Sequence, residues 1–192
     1  MKVFELVVTD EEKEGVSAIS LVDMPAIQEN WVALSKENVI EFREIETKKD
    51  ILLGAVLIPD MLIDRKDKDT GEKFKIYLSG ETIKKVAHKY LLDQNQRSST
   101  LQHRKKIQGV TVVETWVKEH ELHDKSLMYG FNYPLNTWLV AMKVENEDIK
   151  QKVKRGEIKG FSIEGLFDFK QVKFSAEENI IEQIKKILEN EN

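Results

Sequence analysis

Gly109-Val110-Thr111-Val112-Val113-Glu114-Thr115-Trp116-Val117 carries a clear strand signal. Six of these nine residues are β-branched. Such side chains suit a pleated surface and lose rotamer freedom in a helix, so the stretch predicts a strand. Trp138 to Val144 predicts another. Upstream, Ile51 to Ile58 is a short, continuous apolar run bounded by Pro59, which favours a buried strand over a helix. Phe74 to Leu78 alternates in strand fashion, and Val3 to Val8 and Val16 to Val22 open the chain as two more strands. Asp23-Met24-Pro25 ends the second, because proline cannot donate to a ladder. Ile158 to Ile163 and Leu166 to Phe174 complete the set. Asp64 to Gly71 and Asp93 to Thr100 read as polar loops, and Trp31 to Asp50 as ambiguous, its charged second half resembling a linker.

Helical periodicity is confined to three places. Ile83, Val86, Ala87, Tyr90 and Leu91 make one apolar stripe, with Ser79 or Gly80 as the cap. Asn146 to Arg155 predicts a short helix capped by Asn146 and ended by Gly156. Ser175-Ala176-Glu177-Glu178 has a capping-box pattern, and Ile180, Ile181, Ile184, Ile187 and Leu188 follow at helical spacing. That last helix suits ordinary docking or a partner. The expectation is a strand-rich α+β domain with three helices at most, divided into a body over residues 1–174 and an amphipathic tail over 175–192.

The 192 residues are enough for one domain with a sizeable core, and 41% of them are hydrophobic. Charged residues make up 33% with a net charge of -4 and no long basic block, which argues against nucleic acid as a main partner. Cysteine is absent, so disulfides, thiolate metal sites and cysteine nucleophiles are excluded. Met1-Lys2-Val3-Phe4-Glu5 does not begin a signal peptide, and no apolar run reaches a membrane-spanning length. The expectation is a soluble protein made without export. Its nine glycines are dispersed and form no phosphate-cradling loop, which argues against a nucleotide-dependent enzyme.

Lys159-Gly160-Phe161-Ser162-Ile163-Glu164-Gly165 holds a serine among small and aliphatic residues, where a hydroxyl can stand exposed to a carbonyl. A serine nucleophile needs a neighbouring base, and four histidines are on offer. His88 lies in the predicted helix. His120 and His123 sit in Glu119-His120-Glu121-Leu122-His123-Asp124, which lacks the i, i+4 spacing of a zinc protease helix. A metal-dependent hydrolase built on them is a minor reading with no obvious third ligand. His103 follows a polar loop and precedes a strand, a common place for a catalytic side chain, and equally for a solvated one beside Arg104, Lys105 and Lys106. Glu114 could orient an imidazole or simply face solvent. Asp64, Asp67 and Asp69 do not have the spacing of a calcium loop. Gly160 to Glu164 lacks the trailing glycine of a hydrolase elbow.

Val112 to Val117, Asp124-Lys125-Ser126, Thr137 to Val144 and Gly156 to Gly165 occur in an order that resembles the XkdF-like family of phage serine proteases. Ala18-Ile19-Ser20-Leu21-Val22-Asp23-Met24-Pro25-Ala26-Ile27 is similar to that family's opening. The resemblance covers nearly the whole chain apart from the last helix. It implies a relative of the prohead proteases with the herpesvirus assemblin fold, a barrel-like sheet with about three peripheral helices. The segment around Ser20 opens this chain, whereas in other prohead proteases it follows the serine, so the fold would be circularly permuted.

Carried over by residue, the nucleophile falls on Ser162 and the general base on His103. The position of the third member falls on Ser20, which cannot carry a charge. Asp23 and Glu114 are the substitutes, and a dyad without an acid is the other arrangement. No cofactor is implied. The implied role is capsid maturation inside a procapsid in the host cytoplasm. Scaffold and major capsid protein would be the substrates, self-association is compatible, and the tail helix would dock to scaffold or capsid. The alternative is an inactive structural or scaffold-associated capsid component.

Overall fold

In the computed structural model, residues 2–23, 42–44, 50–67 and 69–172 are described. Twelve strands and two α-helices lie among them: β1 (Lys2–Val7), β2 (Gly15–Val22), β3 (Phe42–Glu44), β4 (Ile51–Leu57), β5 (Ile63–Lys66), β6 (Lys73–Tyr77), α1 (Gly80–Leu92), β7 (Ser99–Leu101), β8 (Lys105–Ile107), β9 (Val110–Val117), β10 (Trp138–Val144), α2 (Glu147–Lys154), β11 (Gly160–Leu166) and β12 (Asp168–Gln171). The barrel-like expectation is corrected. The strands form three open four-stranded sheets, in the orders β12-β1-β6-β5, β3-β4-β10-β9 and β11-β2-β7-β8. Strand propensity does not encode closure, which depends on stagger between distant strands. Two α-helices are present among the described residues rather than about three. The predicted Ser175 to Asn192 helix lies outside those residues, as does most of the ambiguous Trp31 to Asp50 stretch.

Two other expectations change. The polar loop over Asp64 to Gly71 begins as β5, whose charged residues sit at an edge where one side meets water. Asp64 there pairs with Lys75 at 3.1 Å, while Asp67 accepts from the Asp69 and Thr70 N–H groups and caps the turn. The second polar loop ends in β7, and the basic run Lys105–Ile107 pairs with it as β8. Short strands of this kind carry too little periodicity to be read.

Local signals account for the helices. Ser79 Oγ accepts from Thr82 N–H at the start of α1, and Asn146 Oδ1 accepts from Ile149 N–H at the start of α2. Gly156, with φ +69, follows α2 where left-handed backbone is needed. Ile83, Val86, Ala87 and Tyr90 of α1 are buried, whereas Leu91 is 39% exposed and lies off the stripe.

A single large apolar cluster joins the three sheets and both helices through Leu6, Leu21, Val56, Ile83, Trp138 and Ile149, among others. β2 is the central strand for the site. It pairs antiparallel with β11 and parallel with β7, so the N-terminal segment lies between the strand that carries the predicted serine and the strand that leads into the turn with the predicted histidine.

Candidate active site

Residues opposite each other on paired strands project from the same face of a sheet. The register sets Ser162 on β11 opposite Ser20 on β2, and Ser20 opposite Thr100 on β7. Three hydroxyl side chains therefore stand in a row across the sheet. Glu164, two residues beyond Ser162, shares that face. Phe161 and Ile163 take the other, where Phe161 is buried in the core.

His103 reaches this row from the turn between β7 and β8. Gln102 and His103 have φ of +54 and +55, and the Arg104 N–H donates to the Leu101 carbonyl at 3.1 Å. Positive φ at both central positions is typical of tight hairpin turns and is strained for residues other than glycine. Two bonds from β2 hold it. The Gln102 N–H donates to the Leu21 carbonyl at 3.0 Å, and the His103 N–H donates to Ser20 Oγ at 3.0 Å. The Gln102 amide pairs with Asp23 through two contacts of 3.0 Å, in the orientation that satisfies both groups.

The His103 ring is anchored on one side. Its Nδ1 lies 3.2 Å from Glu164 Oε1, and the Thr100 hydroxyl donates to the same carboxylate oxygen. A proton on Nδ1 donates to Glu164 and leaves Nε2 with its lone pair, which is the form a general base requires. Nε2 is buried and makes no hydrogen bond within the protein. Ser162 is half-buried and is not hydrogen-bonded to Nε2.

The proposed third members therefore separate. Ser20, fully buried, fixes the backbone of His103 rather than its ring. Asp23 holds the neighbouring Gln102. Glu114 lies on β9 in a different sheet and forms an ion pair with Lys125. Sequence reasoning missed Glu164. It stands within the serine motif, and its signal is the two-residue spacing from Ser162, which puts both on one face of a strand. His120 and His123 are exposed, with ring centroids 5.7 Å apart, and no group of three metal-ligating side chains is found among the described residues.

The family described as "Putative phage serine protease XkdF" matches residues 38–171. The chain belongs to this family. Its matched span contains His103, Ser162 and Glu164, while Ser20 on β2 and Asp23 just after that strand precede it. Neither the curated proteins nor the solved structures contain a match to the chain. Membership in the XkdF family thus stands on the family match alone.

β11 makes a close approach to β2 just past the site. A bulge falls between Glu164 and Gly165, and a Cβ at Gly165 would collide with the Gly15 carbonyl. Glycine at 165 lets the strands meet there, near the end of the pairing that carries Ser162 and Glu164.

Proposed function

We propose that this protein is a serine endopeptidase of phage capsid maturation, with Ser162 as nucleophile, His103 as general base and Glu164 as the residue that orients the base. The observation that supports this most directly is the polarised imidazole: Nδ1 against the Glu164 carboxylate, Nε2 buried without a partner on the face that carries Ser162. Family membership supports the peptidase class.

In the proposed reaction, Ser162 Oγ attacks the peptide carbonyl carbon while its proton passes to His103 Nε2. Glu164 stabilises the imidazolium as it forms. The C–N bond then breaks, the amine leaves with the proton from Nε2, and Ser162 carries the acyl group. Water, deprotonated by the same nitrogen, attacks the ester, releases the acid and regenerates the serine. Ser20 and Thr100 are positioning residues, the first for the backbone of His103 and the second for Glu164.

The proposed substrates are the scaffold and major capsid proteins inside a procapsid, with self-association a further possible arrangement. Co-expression with these neighbours, read by intact mass, tests the reading. Wild type should yield defined cuts that disappear in both Ser162→Ala and His103→Ala. Identical masses in all three, with shells assembled, would sink the catalytic reading in favour of a structural capsid component.

A further inference from the structure

A cleft of about 430 Å³ opens beside His103 and Glu164. Apolar side chains, including Leu6, Ile76, Ile163 and Phe169, line it together with Arg65. A narrower hollow runs on past Ser162 and shares Leu6, Arg65, Ile76 and Ile163 with the cleft. Arg65 thus stands where the two meet, within the space that a chain approaching Ser162 would cross.

The strand register explains why a guanidinium is there. Phe4 lies opposite Ile76, Leu6 opposite Phe169, Ile63 opposite Ile76 and Arg65 opposite Phe74. By alternation, Leu6, Ile76, Phe169 and Arg65 share one face of the first sheet. Phe4, Phe74 and Phe169 close one end of that face through edge-to-face contacts, with centroids 5.6 to 6.3 Å apart. Arg65 therefore lays its stem on an apolar surface and brings its charge into the cleft. Burial pulls the guanidinium pKa down, to about 8. The other charged wall, Glu164, is turned towards Thr100 and His103.

The backbone offers a matching rail. β11 is the edge strand of its sheet. Ile19 and Leu21 direct their backbone bonds towards the β7 side, through Ser98 and Gln102. Ser20 therefore bonds towards β11, and its opposite, Ser162, bonds back. Ile163, one residue on, directs its N–H and C=O away from β2. An extended peptide can pair with such an edge while its side chains enter the cleft.

We propose that this cleft binds substrate as an extended peptide along β11 and selects an acidic side chain next to the bond cut, through Arg65. The proposal rests on the peptidase reading above, and its test separates the two. Binding is measured on the Ser162→Ala protein, so that no turnover is needed. The probes are short acetylated peptides with Glu, Gln or Lys at one central position and apolar residues around it. The Glu peptide should bind about tenfold more tightly than the Gln peptide, as expected for one charge-assisted hydrogen bond, and the Lys peptide should bind least.

In the Arg65→Gln, Ser162→Ala protein that ranking should vanish, while Arg65→Lys should keep part of it and guards against a folding artefact. Equal affinities, no binding of any peptide, or an unchanged ranking without Arg65 overturns the proposal. Cleavage by wild-type protein is scored separately. Preference for Glu without cleavage sinks the reaction and leaves the cleft. Cleavage with no acidic preference does the reverse.

Discussion

Glu164 and Glu114 are both strand carboxylates in the span matched to the family, yet their surroundings give them different work. Glu164 Oε1 lies 3.2 Å from His103 Nδ1 and also accepts from Thr100. Glu114 pairs with Lys125, whose Nζ sits 3.7 Å from the centre of the Trp116 ring. Glu164→Gln should therefore reduce kcat by on the order of 10²- to 10⁴-fold with little change in KM, because the amide no longer stabilises the imidazolium. Glu114→Gln should leave both constants near wild type. Steady-state kinetics on a peptide cut by wild type would check the pair, and an equal loss in both variants would remove Glu164 from its special role. The distinction was not legible in the sequence. Serine at position 162 was found from its small neighbours, and histidine at 103 from the resemblance. The partner of the imidazole, by contrast, depends on β2 joining β11 on one side to β7 on the other, and no local pattern encodes that.

The hairpin of β5 and β6 shows how an element can be half legible. The polar-loop expectation over Asp64 to Gly71 holds for its turn but not for Asp64-Arg65-Lys66, three consecutive charged residues that belong to β5. Pairing with β6 and the apolar face it completes override that local preference. The turn itself is held by Asp67, whose carboxylate accepts from the Thr70 N–H at 2.7 Å and the Thr70 hydroxyl at 2.9 Å. Those bonds, with the Thr70 N–H foremost, lower the Asp67 pKa from 3.8. A lowered carboxylate pKa favours the folded state above the unfolded value, and the benefit is lost as pH falls through the folded value. Asp67→Asn should thus be less resistant to urea than wild type at pH 7, and the two curves should converge when the pH is taken well below the unfolded value of 3.8. A gap that persists in acid would assign the loss to the turn's shape rather than to the charge.

At the scale of the molecule, β2 links everything. Leu21 is fully buried in the cluster that spans the sheets, its carbonyl receives Gln102, and its neighbour Ser20 receives His103. Leu21→Ala should cost about 2–5 kcal/mol, and because one core serves all three sheets the protein should still unfold in a single transition. Denaturant curves followed by far-UV circular dichroism and by tryptophan fluorescence should coincide; two separate midpoints would show that the sheets unfold independently. By itself the sequence determined most of the strands, both observed helices with their caps, and the presence of a reactive-looking serine. These follow from side-chain shape, periodicity and capping groups within a few residues of each other. The tertiary structure decided that the sheets stay open, that Glu164 rather than Glu114 or Asp23 meets the His103 ring, and that Arg65 enters the cleft beside it. Each of these depends on strand order and register between segments far apart in the chain, such as β1 with β12 and β2 with β11, where cooperative burial and backbone pairing choose among arrangements that local chemistry leaves equal.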